Sequence, residues 1–137
     1  MIICDTGPLV AALNRKDADH TRCVDLLEKH PGPLLVPGPV LTEVCYLLES
    51  RVGAHGEAAF LAAVADGELQ LVGLTQPDLR RMVELVKAYA DFPLGAVDAS
   101  VVAIAERYGC ADIATLDIRH FSTVRPRHVP NLNLLPT

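Results

Sequence analysis

The sequence lacks an uninterrupted apolar run long enough to cross a bilayer, although half of its residues are apolar. Its N-terminus also lacks the basic region and the long apolar stretch of a secretory signal peptide. We therefore expect a soluble protein of the cytoplasm, with no membrane partner. The sequence contains no internal repeat and no low-complexity segment, so we expect a single domain that spans residues 1–137.

The sequence lacks a C-x-x-C arrangement of cysteines. The four cysteines, each in apolar surroundings, are Cys4, Cys23, Cys45 and Cys110. This pattern favours buried small hydrophobic side chains over disulfides or a zinc site.

Basic residues are outnumbered, with 12 Lys and Arg against 17 Asp and Glu and a net charge of -5. Such a balance argues against a nucleic-acid partner, because phosphate binding usually goes with a basic surface. The C-terminal stretch differs, because residues 118–137 include no acid but five basic or titratable residues: Arg119, His120, Arg125, Arg127 and His128. This stretch is either an ordinary solvated tail or a modest basic patch beside a functional residue.

Short apolar segments alternate with helical patterns along the whole chain. We predict strands at residues 1–4, 34–36, 69–72 and 110–116, and helices at residues 8–14, 17–30, 39–52, 54–65, 78–90 and 97–108. Strands separated by helices need crossover connections. The pattern therefore predicts an α/β fold whose mainly parallel sheet is covered by helices on both faces.

An acidic residue follows each of two predicted strands. Asp5 comes directly after the strand at residues 1–4, and Asp117 stands just past the strand at residues 110–116. The carboxyl ends of parallel strands meet at one edge, where α/β sheets place their ligand crevice. We therefore expect Asp5 and Asp117 to converge there.

Asp98 lies in the first turn of a nearly all-apolar helix. The residues that share its face are Val101, Val102 and Ala105, so its carboxylate needs either a partner or a metal ion. Alternatively, Asp98 is an N-cap that accepts hydrogen bonds from the first free N–H groups of the helix.

Glu43 is ambiguous from periodicity alone. Its neighbouring helical positions hold Thr42, Tyr46, Glu49 and Ser50. These mostly polar neighbours predict that Glu43 lies at the edge of a solvated helix face.

Four segments, in order, resemble the PIN domain, and most closely the VapC ribonuclease toxins of bacterial and archaeal toxin–antitoxin pairs: IICDTGPLVAALN, PVLTEVCYLL, LGAVDASVVAIAERYG and IATLDIRHF. The resemblance runs nearly end to end and implies a three-layer α/β/α sandwich. It implies that Asp5, Glu43, Asp98 and Asp117 hold divalent metal as catalytic ligands, with Thr6 and Thr115 as supporting hydroxyls. The chain departs from the pattern at Gly7, where many members have a small hydroxyl residue.

Phosphodiester hydrolysis explains why such an acidic quartet is useful. The reaction needs an activated water, neutralised phosphate charge and help for the leaving oxygen, and Mg²⁺ or Mn²⁺ held by oxygen ligands supplies all three. Without the quartet, 13 acids remain against 12 basic residues, so the net acidity belongs largely to this site. Zinc is disfavoured because the inferred ligands include no His or Cys.

The resemblance further implies an endoribonuclease toxin, a homodimer and a small cognate antitoxin that inserts a segment near the acidic crevice. The residues expected to contact RNA are basic and belong to two stretches: Arg15, Lys16 and Arg22, then Arg119, Arg125 and Arg127.

Other functions fit the same residues less well. A PIN-like module that binds RNA or protein without cutting is the main alternative, although its signature would be a broken quartet, and all four acids are present. The triplet Asp5-Thr6-Gly7 also occurs in aspartic proteases, but those enzymes are almost wholly β-structure. A phosphoacceptor receiver domain would need an acidic pair, and an aspartyl phosphatase would need a second Asp two residues after Asp5, where this chain has Gly7.

Overall fold

A five-stranded parallel sheet forms the centre of the molecule. In this computed structural model, which describes all 137 residues, the strands are Ile2–Cys4 (β1), Leu34–Pro37 (β2), Gln70–Val72 (β3), Asp112–Ala114 (β4) and Asn133–Leu135 (β5). Their order is β3-β2-β1-β4-β5, and every neighbouring pair is parallel. The side chains of β1, the middle strand, are 0% exposed, as expected for a strand covered on both faces.

Seven helices surround this sheet and complete a three-layer α/β/α fold, which confirms the predicted fold class. They are Thr6–Leu13 (α1), His20–Lys29 (α2), Gly38–Arg51 (α3), Ala54–Ala65 (α4), Gln76–Ala88 (α5), Ala96–Tyr108 (α6) and Ile118–Thr123 (α7). None of them is both long enough and apolar enough to span a membrane. All four cysteines are free thiols, and three of them are buried.

Capping residues set the helix boundaries and explain two differences from the sequence predictions. Helix α5 begins two residues earlier than predicted, because Thr75 and Asp78 form a reciprocal capping box. Helix α6 begins at Ala96 with Gly95 as its N-cap, so the alternative assignment of Asp98 as an N-cap is wrong. At its other end, Gly109 adopts the left-handed conformation (φ 63°) that glycine permits.

The remaining differences concern short elements. The strand predicted at residues 110–116 is confined to Asp112–Ala114, and the helix predicted to begin at residue 17 begins at His20. Helix α7 and strand β5 were not predicted. They contain six and three residues, too few for periodicity to be recognised.

An ion-pair network joins α5 and α6 to the C-terminal segment. We call it the α5–α6 network, and its six members are Asp78, Arg81, Glu84, Glu106, Arg107 and Arg127. Arg81 contacts Glu106 at 2.8 Å and Glu84 at 3.2 Å, Arg107 contacts Asp78 at 3.0 Å, and Arg127 pairs with Glu84. Burial opposes ionisation of Glu106, but hydrogen bonds from Arg81 and Arg127 outweigh it and lower the pKa of Glu106. Each acid in this network therefore has an arginine partner.

Candidate active site

The carboxyl ends of β1 and β4 open into one acidic crevice of about 380 Å³. Asp5 directly follows β1, and Asp117 lies three residues beyond the end of β4. Strand order reverses between these two strands, which is where α/β sheets bind ligands. The crevice is lined by both acids and by seven further residues: Thr6, Gly7, Glu43, Leu47, Arg51, Asp98 and Leu116. The structure thus brings together all four acids of the quartet inferred from the family resemblance.

Asp5 forms the floor of the crevice and is only 6% exposed. Its backbone N–H donates to the Ala114 carbonyl at 2.8 Å, which joins the ends of β1 and β4. Burial raises the pKa of the Asp5 carboxyl, and the charges of Glu43 and Asp117 raise it further. Hydrogen bonds from the Thr6 backbone and the Thr115 hydroxyl oppose this shift. A cation that bound here would favour the ionised form.

Asp98 enters the crevice from the first turn of α6 and is half-buried. Burial raises its pKa to about 6, with further contributions from the charges of Asp5 and Asp117. The charge of His120 opposes the shift, and that of Glu43 adds to it. Only burial and neighbouring charges contribute to the raised pKa of Asp98, and no hydrogen bond opposes the shift.

Glu43 reaches the same crevice from α3 and is half-buried. Its charge contributes to the raised pKa of both Asp5 and Asp98. Its half-burial, beside the exposed Thr42 and Tyr46, agrees with the predicted edge of a solvated face, and at this edge Glu43 also lines the crevice. The helical pattern alone did not predict that Glu43 lies on the same crevice as the other three acids, whereas the resemblance did.

Asp117 is held by His120, a contact that the sequence interpretation missed. The His120 backbone N–H donates to Asp117 Oδ1 at 3.0 Å, and His120 Nδ1 lies 2.6 Å from Oδ2. Because an ionised carboxylate can only accept, Nδ1 carries the hydrogen in this pair. The imidazole also packs against Phe92, with ring centroids 4.8 Å apart. The only signal in the sequence was a spacing of three residues at the start of a short helix.

The two threonines that the resemblance named have different surroundings. The Thr115 hydroxyl donates to Asp5 Oδ2 at 2.9 Å and accepts from the Asp117 backbone N–H at 3.0 Å, so it links two acids of the quartet. The Thr6 hydroxyl is buried and has no hydrogen-bond partner in the protein. A buried hydroxyl without a partner is unfavourable, and a ligand or water in the crevice would satisfy it.

Gly7 is the position at which the chain departs from the family pattern. A Cβ built at Gly7 would lie 3.3 Å from both Cβ and Cδ1 of Leu116, which is tight contact. The Leu116 side chain thus occupies the space next to residue 7, and glycine accommodates it.

The three arginines of the C-terminal stretch do not line the crevice. The Arg119 guanidinium stacks over Phe92, at 5.1 Å from the ring centroid. Arg125 donates to Asn131 at 3.2 Å, and Arg127 belongs to the α5–α6 network. Their expected role in RNA binding stays a prediction, and Arg127 would have to give up an ion pair to perform it.

The donor set of the crevice suits a divalent cation. One ligand atom each from Asp98, Asp117 and His120 lies within 4.8 Å of the other two, with Asp5 and Glu43 on the same crevice. None of the four acids is ion-paired to Lys or Arg. Carboxylate oxygens match Mg²⁺ and Mn²⁺. The nearby His120 weakens the sequence-based reasoning against zinc, which depended on the absence of histidine.

Comparison with known families and proteins points in the same direction. A profile of the PIN domain family matches residues 2–125. Ribonuclease VapC26 of Mycobacterium tuberculosis is 34% identical over 125 residues, which cover 91% of this chain and 93% of that protein.

Solved structures also share the fold. The crystal structure of VapC20 from Mycobacterium tuberculosis, a sarcin–ricin loop cleaving toxin, has a TM-score of 0.77 at 23% identity and covers 82% of this chain and 87% of its own. A toxin–antitoxin complex from Klebsiella pneumoniae has a TM-score of 0.72 at 18% identity, over 97% of this chain and 100% of that one.

Proposed function

Because the chain belongs to the PIN domain family, we propose that its acidic crevice is the active site of a metal-dependent endoribonuclease, the toxin of a toxin–antitoxin pair. The observation that carries the proposal is a quartet of acids without a Lys or Arg partner. Asp5, Glu43, Asp98 and Asp117 share one crevice, and the only ion-pair partner among them is the His120 imidazole beside Asp117. Like charges so confined favour binding of a cation. We propose that the protein acts in the cytoplasm, where RNA is available.

The residues of the chain have separate roles in this proposal. Bound Mg²⁺ or Mn²⁺ supplies an activated water and neutralises charge on the phosphate. Asp5, Glu43, Asp98 and Asp117 are the ligands. Thr115 keeps Asp5 and Asp117 in register through its two hydrogen bonds. The free Thr6 hydroxyl is available to orient a water.

His120 acts on the site through Asp117. Its two hydrogen bonds occupy one acceptor position on each oxygen of the carboxylate, so the remaining lone pairs have a defined direction. Groups that orient a ligand in this way typically change metal affinity about 10- to 100-fold when removed.

A cleavage assay tests the proposal. The purified protein should cut a mixed RNA pool with Mg²⁺ or Mn²⁺ and not with EDTA, and Asp5→Asn and Asp98→Asn should abolish cutting while they remain folded. Activity that survives in both variants would remove the assignment. An inert wild-type protein that is nevertheless stabilised on melting by RNA would favour the non-catalytic binding module instead.

The relatives' assemblies motivate a protein partner for this chain. An apolar groove of about 440 Å³ lies between α1, α2 and α4, and its apolar lining includes Leu9, Leu13, Val24, Leu27 and Leu69. We propose that a small antitoxin places an apolar segment there and reaches the crevice.

Expression of the chain alone should arrest growth, and Asp5→Asn should relieve the arrest. A Leu27→Glu toxin that the antitoxin still neutralises would exclude this groove.

A homodimer is also part of the proposal. Leu79, Val83 and Val86 are exposed at successive turns of α5, and this unpartnered apolar stripe supports a protein contact. Sedimentation should show a dimer for the wild type and a monomer for Val83→Glu, whereas a wild-type monomer at micromolar concentration would contradict it.

A further inference from the structure

Arg51 is the only cationic side chain on the lining of the acidic crevice. It also lines the adjoining surface depression, where its neighbours are Leu13, Asn14, Arg15, Lys16 and Val52. Arg51 therefore connects the acids to a second, basic hollow. Both hollows lie along the packed pair of helices α1 and α3.

The three cations of this region have no acidic partner. Arg15, Lys16 and Arg51 are exposed, and none takes part in an ion pair with a carboxylate. By contrast, Arg22 pairs with Asp19 at 2.8 Å, and Arg127 pairs with Glu84. A free cation can bind a phosphate without breaking an existing contact.

The spacing of these residues suits a polymer more than a small ligand. Glu43 and Arg51 are eight residues apart on α3, which is about 12 Å along the helix axis. Arg15 and Lys16 follow the C-terminal end of α1, whose N-terminal end carries Asp5. A chain that enters the crevice at Asp5 can therefore leave it past Arg51 toward the other two cations.

The acidic crevice and the basic hollow differ in charge and therefore interact differently with phosphate. The acids repel phosphate unless a cation intervenes, so they cannot provide affinity for the nucleotides on either side of the cleaved bond. Arg51 is exposed, lines both depressions and makes no ion pair with the acids of the crevice, so it belongs to the rim. It is placed to contact a neighbouring phosphate, not to neutralise the acids.

A structural role explains part of this arrangement. Arg51 lies in the last turn of α3, where a cation is favoured by the helix dipole. Arg15 and Lys16 lie outside any helix, in the connection between α1 and α2, so the dipole does not explain why they share a hollow with Arg51.

We propose that Arg51, Arg15 and Lys16 form a phosphate-binding track for single-stranded RNA that leads out of the acidic crevice. The inference rests on the proposed ribonuclease function and adds where the substrate lies. A single strand is favoured because Asp5, at the floor, is only 6% exposed, and an unpaired backbone can enter such a recess more readily than a duplex can.

Salt-dependent binding tests the track. In an Asp98→Asn background, which prevents cutting, affinity for a mixed-sequence single-stranded RNA of about 12 nucleotides would be measured by fluorescence anisotropy between about 50 and 200 mM KCl. Replacing all three cations by Gln should lower the logarithmic salt slope by about 2, because each lost phosphate contact removes about 0.7. The loss of affinity across that range then becomes about 20-fold smaller than in the background protein.

The matched control is Arg80→Gln with Lys87→Gln. These cations of α5 are exposed, have no ion pair and do not line the crevice, so the salt slope should stay within about 0.7 of the background value. A second comparison replaces Arg119, Arg125 and Arg127 by Ala. The track predicts a smaller change there than at Arg15, Lys16 and Arg51, and a larger change would overturn it by moving the substrate to the C-terminal side.

Failure of the track and failure of the ribonuclease function can be told apart. If the wild type cuts RNA and the Gln variant keeps its salt slope, the track alone is wrong. If the slope falls but no metal supports cutting by the wild type, the ribonuclease function is wrong and the track stands as an RNA-binding site. In the active protein, Arg51→Gln should raise KM with little change in kcat, and Arg51→Lys should restore part of the loss.

Discussion

The acidic crevice and the α5–α6 network both bring several acidic side chains together, but the charges of these acids are compensated differently. In the network, Asp78, Glu84 and Glu106 each contact an arginine, and the pKa of Glu106 is lowered. In the crevice, the acids have no such partner, and the pKa of both Asp5 and Asp98 is raised.

This difference separates structural charges from functional ones. An ion pair that the fold completes by itself holds elements together and has little capacity left for a ligand. Acids that the fold leaves without an arginine partner lower the stability of the protein. Their presence is explained if they bind a cation from solution, which offsets their charge. Variants in each region test whether its acids behave in this way.

The largest expected effect is on cleavage, at Glu43. Glu43→Gln should reduce RNA cutting by more than about 100-fold, which exceeds the usual effect of residues that only orient a ligand. Glu49→Gln is the matched control, because Glu49 lies on the exposed face of the same helix. Equal activity of the two variants in an initial-rate assay would contradict a catalytic role for Glu43.

The next effect is on stability, and it should have opposite signs in the two regions. Arg107→Leu leaves the Asp78 carboxylate, 3% exposed, without its cation and should lower the free energy of unfolding by about 3 kcal/mol. Asp98→Asn should raise that energy in EDTA, because it removes one of several crowded charges. Urea unfolding of both variants checks this, and a loss of stability in both would make the crevice an ordinary structural cluster.

His120 should have a smaller effect, on metal affinity. His120→Ala frees the Asp117 carboxylate and should weaken Mn²⁺ binding about 10-fold, whereas His120→Asn can still donate from a position near Nδ1 and should retain most of the affinity. Both are compared by calorimetric titration. If Ala and Asn weaken binding equally, the imidazole acts as a direct ligand and not through Asp117.

The smallest effect is on pH dependence without metal. The raised pKa of Asp98, about 6, means that its stabilising contribution is present below about pH 4 and is lost as the pH rises through 6. Relative to Asp98→Asn, the wild type should therefore lose on the order of 1 kcal/mol between pH 4 and 8, after allowance for partial exposure. Unfolding curves at several pH values in EDTA measure this, and a difference that does not vary with pH would contradict the raised pKa.

Much of the fold follows from the sequence, because long periodic segments and strand-end acids carry their own signal. The apolar run before Asp5 predicted the central strand, and the alternation of elements predicted a parallel sheet. Resemblance, and not periodicity, identified Glu43 as a site residue, since a helical wheel does not show which residues of other elements lie beside it.

Contacts between distant or short elements were beyond the reach of the sequence. Six residues form α7, so the contact of His120 with Asp117 was not visible, and His120 was grouped with the basic tail. Arg127 looked free in the sequence, but it pairs with Glu84, which lies 43 residues earlier. Conversely, nothing in the sequence links Arg51 to Arg15, because only the packing of α1 against α3 brings them to one hollow.

Mn²⁺ binding tests the central claim most directly, because that claim is that the acids of the crevice, and not those of the α5–α6 network, bind a divalent cation. Calorimetric titration of the wild type, Asp98→Asn and Glu84→Gln would be accompanied by thermal melting of each protein. We expect the wild type and Glu84→Gln to bind Mn²⁺ with the same affinity and to gain thermal stability, and Asp98→Asn to bind more than 10-fold more weakly. Equal affinity of the wild type and Asp98→Asn would contradict the assignment of the crevice as the metal site.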